Sequence, residues 1–361
     1  MTDLDRWLQA ATSPEHKDYR AAIRALAQLG PSIATQIVEL LRSRGGDAVM
    51  PVVLRWPGAA VVEHLAPLLA GKDHEAAWRA THLLGQSRAA EAVAPLVAQL
   101  ERSGRQMAAR ALGECGQAAA VAPLLAHAAT LIAGTDNVDA MADEDPAAPE
   151  QLAHVLHALG RLGDSSLAPW LVRLADTAPE PQEREAAVLA LADVPVAEAL
   201  AVASRALGGS TGPLRRAGLY TLWSYRTVAA VDALLAAAPP EELVVDVEAM
   251  ILDIAGVAPE RWPAARASLP AGVCLCEGAP LTADPLLARA RDEARRPLAL
   301  RELARVFGFS ARWNAVLDDE ADLYRELAEW KLREGACFTP GLLLRGGREV
   351  PAERAPQPLP S

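Results

Sequence analysis

An internal repeat constrains this chain more than any other feature. Ala66-Pro67-Leu68 recurs as Ala94-Pro95-Leu96 and again as Ala122-Pro123-Leu124, each 28 residues after the last. Leu84-Gly85 and Leu112-Gly113 share that interval. Two independent markers on one spacing describe a unit repeated along the chain, and a period of this length belongs to stacked supersecondary units. The next copies, Leu159-Gly160 and Ala168-Pro169-Trp170, come 47 and 46 residues later. An insertion of about 18 residues explains the delay, and residues 134–150 supply it.

Each unit reads as two helices. In the first, apolar residues follow the helical period and run to Leu-Gly, as in RQMAARALGECG, where the glycine suits a left-handed helix cap. In the second, as in AEAVAPLVAQL and AVAPLLAHA, proline falls in the first turn, where its missing N–H costs little. Composition agrees, since 51% of the chain is hydrophobic, only 4% is aromatic, and Ala, Leu and Val make up most of the apolar mass. Ala and Leu are strong helix formers, and small side chains let helices approach closely. One hairpin cannot cover its own apolar stripe, so neighbouring pairs must stack.

The segments AAWRATHLLGQSRAAEAVAPLVAQL and GRQMAARALGECGQAAAVAPLLAHA resemble the short HEAT-like repeats first associated with phycobilin lyases. Looser copies follow in EREAAVLALADVPVAEALAVASRAL and PLRRAGLYTLWSYRTVAAVDALLAA, with spacing that drifts to 31 or 32. Earlier copies occupy residues 14–44 and 46–70, and residues 240–268 read as a last divergent pair. The resemblance implies an all-α protein, an α-solenoid of seven or eight short HEAT-like helical hairpins over residues 1–268, with the acidic insertion at 134–150. Residues 269–284, rich in Pro and Gly, read as a linker or cap loop. Residues 285–350 are expected to form a divergent helical cap, and 351–361 a flexible tail. The segment Trp330…Phe338-Thr339-Pro340-Gly341…Gly347 resembles the ends of HEAT-like proteins encoded with bacterial type VI secretion systems.

Charge narrows the partners. The formal net charge is −11, with 32 Arg and three Lys (Lys17, Lys72 and Lys331) among the 35 basic residues. Such a chain repels phosphate backbones, which argues against broad nucleic-acid binding. The first residues, MTDLDRWLQA, lack the basic-then-apolar layout of a secretory signal. No apolar run is long enough to span a membrane, and the four cysteines do not form a dense disulfide framework. The expected compartment is the cytoplasm.

Several constellations have a chemical reading that their context does not support. Gly208-Gly209-Ser210-Thr211-Gly212 fits the nucleophile-elbow pattern, which requires a strand-to-helix turn, yet it is expected to join two helices. Cys274 and Cys276 offer two soft metal ligands without a second pair. His154 and His157 share one helix face but lack the usual zinc-helix motif. His74-Glu75 is a single pair, whereas the HEAT-like deoxyhypusine hydroxylases hold di-iron with several. The acidic insertion, with Asp136, Asp139, Asp143, Glu144 and Asp145, does not match a calcium loop. The eight tryptophans invite comparison with the HEAT-like alkylpurine DNA glycosylases, but core-like positions and an acidic charge suit packing better.

Alignment of the repeats brings out a different feature. Gln99, His127 and Arg173 occupy one position of successive second helices, and Arg205 follows in the next copy. The resemblance places second helices on the concave side of the solenoid, where such a column would form a recognition ridge for a protein. His82, Arg110 and His157 make a similar column on first helices, expected to face solvent on the convex side. The resulting expectation is a non-catalytic protein-binding scaffold or adaptor without metal or cofactor, as an accessory or immunity protein of a bacterial secretion system. The alternative is a HEAT-like enzyme, either bilin lyase-like or alkylpurine DNA glycosylase-like.

Overall fold

The computed structural model describes residues 2–102, 105–132 and 148–300, except 195, 238, 268, 270–274, 277, 281–282, 293–294 and 297–298; it also describes residues 303, 323, 343–345 and 348–350. Those residues are overwhelmingly helical and fall into two compact units divided between Leu162 and Gly163.

The first unit opens with α1 (Asp3–Ala10). Four helical pairs follow: α2 (Tyr19–Leu29) with α3 (Ala34–Leu41), α4 (Met50–Val53) with α5 (Gly58–Leu65), α6 (His74–Ser87) with α7 (Val93–Leu100), and α8 (Arg105–Cys115) with α9 (Val121–Ile132). The unit ends on α10 (Ala148–Leu162). Each helix is amphipathic in the manner the repeat demands. In α2, for example, Tyr19, Ala22, Ile23 and Leu26 are buried at i, i+3, i+4 and i+7.

The second unit begins with α11 (Ala168–Thr177). Its pairs are α12 (Pro181–Leu191) with α13 (Ala197–Leu207), α14 (Gly212–Tyr225) with α15 (Val228–Ala236), and α16 (Val244–Ala255) with the short α17 (Trp262–Arg266). One continuous core runs from Ala203 and Leu207 through Leu222, Val231, Val247 and Ile251 to Trp262 and Leu275. The region expected as a cap loop contains an antiparallel ribbon, β1 (Leu275–Cys276) with β2 (Ala279–Pro280), and is followed by α18 (Ala283–Arg289). A second ribbon, β3 (Leu343–Arg345) with β4 (Arg348–Val350), lies where the sequence suggests a helical cap. The tail 351–361 lies outside the described residues. So do residue 133 and residues 134–147 of the acidic insertion, while 148–150 already belong to α10.

Proline falls in the first turn of α7 (Pro95), α9 (Pro123) and α11 (Pro169), as its fixed φ and missing donor favour. Pro67 differs. It lies beyond α5, where the helix tightens into the 3-10 turn Ala66–Ala70, because proline cannot donate to the carbonyl four residues back.

The recurrent Leu-Gly has another role than the expected cap in most copies. Gly30 does cap α2 with φ +61. Gly85 and Gly113, however, lie inside α6 and α8, and the left-handed caps come three residues later at Arg88 and Gly116. A Cβ on Gly85 would meet the Ala111 Cα at 2.8 Å, and one on Gly113 would meet the Ala158 Cα at 2.8 Å. These glycines let the first helices of adjacent repeats touch backbone to backbone, the close approach that only Gly allows.

Candidate protein-binding surface

Polar stitches between repeats set the register of every surface position. In the first unit the Tyr19 hydroxyl donates to the Ala48 carbonyl at 2.7 Å, and Gln117 Nε2 donates to that of Arg88 at 2.7 Å. The buried Arg79 guanidinium meets the Asp47 carboxylate at 2.7 Å, the Glu75 carboxylate at 3.0 Å, and the Leu41 and Ser43 carbonyls. In the second unit the Thr221 hydroxyl donates to Val188, and that of Tyr225 reaches the carbonyls of Leu191 and Val194. Tyr19, Thr221 and Tyr225 thus find partners about one repeat away, which is how a stack satisfies groups that a lone hairpin would leave dry.

The four aligned second-helix residues take different environments. Gln99 is buried on α7 beside Val93, Leu96 and Leu100, and His127 is half-buried on α9. Both belong to the first unit, whereas Arg173 and Arg205 belong to the second. There Arg173 on α11 and Arg205 on α13 are exposed. Arg205 reaches back one repeat to Asp176 on α11, its Nη2 lying 2.8 Å from both carboxylate oxygens. Arg173 makes no ion pair among the described residues and offers its whole fork to solvent.

The first helices carry a denser constellation than the column of His82, Arg110 and His157 suggested. Glu114 on α8 accepts from Arg110 Nε at 3.0 Å, lies 3.6 Å from Arg161 on α10, and sits 3.9 Å from His82 Nδ1 on α6. Trp78, 46% exposed, stacks on His82 with ring centroids 5.9 Å apart. Burial holds His82 below the usual imidazole range; Glu114 opposes that effect and Arg110 reinforces it. His157 is exposed nearby in sequence on α10. Glu114 is visible in the sequence only as the residue four after Arg110, a helical ion-pair spacing.

In the second unit Asp253 on α16 collects three donors. Arg226 Nη1 donates to it at 2.6 Å, Trp223 Nε1 at 3.0 Å and Arg289 at 3.2 Å. Burial alone would raise the Asp253 carboxyl, but Arg226, Trp223 and Arg289 together outweigh it and hold it below the usual carboxylate range. Arg226 is buried, takes the left-handed conformation at φ 53, and donates through Nε to the Leu275 carbonyl at 3.1 Å. Its own carbonyl accepts from the Leu275 N–H at 2.7 Å, so this network seats β1 against α14 and α16.

Consecutive pairs therefore present equivalent positions one repeat apart and bond to the next pair through them. The repeats are stacked helical hairpins. No protein-family model matches the chain, and no curated protein matches it. Solved structures similar to it include the complex of CpcE and CpcF of phycocyanin lyase from Nostoc sp. PCC7120, at 18% identity over 73% of this chain and 93% of that one, with a TM-score of 0.38. The archaeal HEAT-like repeats protein from Thermococcus onnurineus NA1 is 17% identical over 61% of this chain and 97% of its own, with a TM-score of 0.35. A designed armadillo repeat protein is 16% identical over 69% and 98%, with a TM-score of 0.28.

Within this stack of helical pairs the catalytic patterns take up structural positions. The Gly208–Gly212 stretch joins α13 to α14, and Thr211 caps α14 by accepting from the Leu214 N–H. No strand precedes it, so the elbow geometry is absent at that point. Cys276 is buried in β1, and Cys274 lies outside the described residues. Among the described residues no three His, Cys, Asp or Glu side chains group as a metal site.

Proposed function

We propose that this HEAT-like chain is a non-catalytic scaffold or adaptor that binds another protein on the concave face lined by its second helices. The observation that carries this reading is Arg173, an exposed guanidinium without an ion pair among the described residues, beside the Arg205–Asp176 pair of the next repeat. A free planar fork next to an ordered one suits a carboxylate-bearing partner, since Arg pairs with carboxylates through two parallel hydrogen bonds. The setting we propose is the bacterial cytoplasm beside a type VI secretion system, on the resemblance of Trp330…Gly347, most of which lies outside the described residues.

The test has two steps. Affinity capture from the native host identifies the partner, and titration with the purified partner measures direct binding. Arg173→Glu should then weaken binding at least about tenfold, as expected for a central Arg contact, with circular dichroism unchanged. An unchanged Kd would place the contact elsewhere on the molecule. Arg205→Glu is the poorer probe, because it also sets a carboxylate against Asp176.

A further inference from the structure

The outer face of α16 carries exposed apolar residues where a helix at the end of a repeat array should present polar ones. Its buried side is Val247, Ile251, Ile254 and Ala255. On the opposite side Val245 is 73% exposed and Leu252 52% exposed, with Ala249 exposed between them. Positions i, i+4 and i+7 lie in one row, so these three residues form a stripe about 10 Å long. Scattered exposed apolar residues are normal on a protein surface. A row of three on one helix face, backed by a fully packed opposite face, is a shaped surface instead.

The charges that α16 itself places around the stripe are all of one sign. At 100° per residue, Glu248 flanks the row on one side and Asp246 on the other. Both are exposed, as is Glu241 just before the helix. None of the three makes an ion pair among the described residues. The sequence of α16, VVDVEAMILDIA, contains no Lys or Arg. Of the nearby cations, Arg215 pairs with Glu242 at 2.6 Å, and Arg226 and Arg289 pair with Asp253, while Arg261 in the turn after the helix is exposed.

We propose that this face of α16 is a second docking surface, and that its occupant is an amphipathic helix of a partner protein with apolar residues at i, i+3, i+4 and i+7 and Lys or Arg on its flanks. Helix-in-groove recognition reads such anchors against an apolar row, and basic flanks would meet Asp246, Glu248 and Glu241. Charge decides against a second copy of this face, which would bring like carboxylates together. The surface is separate from Arg173 and favours a partner of opposite charge.

A fluorescein-labelled 14-residue helical peptide of Leu and Lys in that spacing is the probe, with a scrambled peptide of identical composition as its control. Fluorescence anisotropy with the full chain should show the amphipathic peptide binding at least about tenfold more tightly than the scrambled one, the scale of losing central anchors. Val245→Ser with Leu252→Ser leaves the charge untouched and should remove that preference, with helical content unchanged. Asp246→Lys with Glu248→Lys should weaken binding and flatten its salt dependence. Arg173→Glu should leave the peptide affinity where it was, which separates this surface from the one proposed above. Equal affinity for both peptides, or a wild-type preference that survives Val245→Ser with Leu252→Ser, would overturn the proposal. So would a dimer in sedimentation that the same double variant dissociates.

Discussion

Asp253 is the residue on which most of the second unit's electrostatics turns. It faces two guanidinium groups, one of them buried, and the alternative to pairing is an uncompensated charge in the core. Removing one partner of a buried pair costs more than the pair itself contributes, so Asp253→Asn should destabilise the protein by about 3 kcal/mol, with the carboxylate's partial exposure keeping the figure at the low end. Chemical denaturation measures it. His82 gives a second test, through pH. Its folded pKa lies below the ordinary imidazole value of 6.5, so the unfolded chain binds more protons in the interval beneath 6.5. Stability is then fully present above 6.5 and falls as pH drops toward the folded pKa. His82→Gln should flatten that part of the pH profile of thermal stability, and an unchanged slope would assign the decline to other groups. Neither role can be read in the sequence. His82 is legible as a member of a column, but its depressed pKa depends on how α6 and α8 enclose it beside Glu114.

At the scale of elements, the first helices are spaced by glycine. Gly→Ala inside a helix ordinarily gains about 1 kcal/mol through propensity. At Gly85 and Gly113 the added methyl would press on the backbone of Ala111 and Ala158, atoms that cannot step aside as a flexible side chain would. Overpacking of this kind costs about 1–3 kcal/mol. Gly85→Ala and Gly113→Ala should therefore each lower the melting temperature, opposite to the sign that helix propensity predicts. The repeat made these glycines visible and even numbered them, yet their use differs from the cap inferred for them. A cap and a helix crossing both demand glycine near the end of a helix, and only the position of the neighbouring helix separates the two. The second helices show the same limit. Gln99, His127, Arg173 and Arg205 align in sequence, but the neighbouring helices bury Gln99 and leave Arg173 in solvent.

For the whole molecule, the chain divides into two compact units, and the boundary falls between α10 and α11, inside what the repeat pattern treats as one copy. Local stability should follow that division. Hydrogen exchange on Asp253→Asn should accelerate across α13–α17 while the amides of α2–α9 keep their wild-type protection. Acceleration spread evenly over both would show one cooperative block. The acidic insertion offers a further test. Replacing residues 134–147 with a short Gly-Ser linker should leave helical content and melting temperature unchanged, because a segment with five acidic residues and no Arg or Lys supplies little to bury. A large drop in the melting temperature would make the segment structural.

The sequence alone determined the fold class, the helix pairing and most of the repeat boundaries of this chain. The reason is that a repeat writes its apolar period and its turn residues several times over, so local signals reinforce one another. Tertiary structure alone decided which glycines are crossings, which arginines are engaged and where the chain divides. Arg205 and Arg173 occupy one aligned position, and what distinguishes them is a carboxylate that the stack brings to one and not the other. The stripe on α16 belongs here too. Val245 and Leu252 look like core residues in a one-dimensional pattern, and only the packing of Val247, Ile251 and Ile254 on the opposite side turns them outward. A helix has several candidate faces, and its neighbours choose among them.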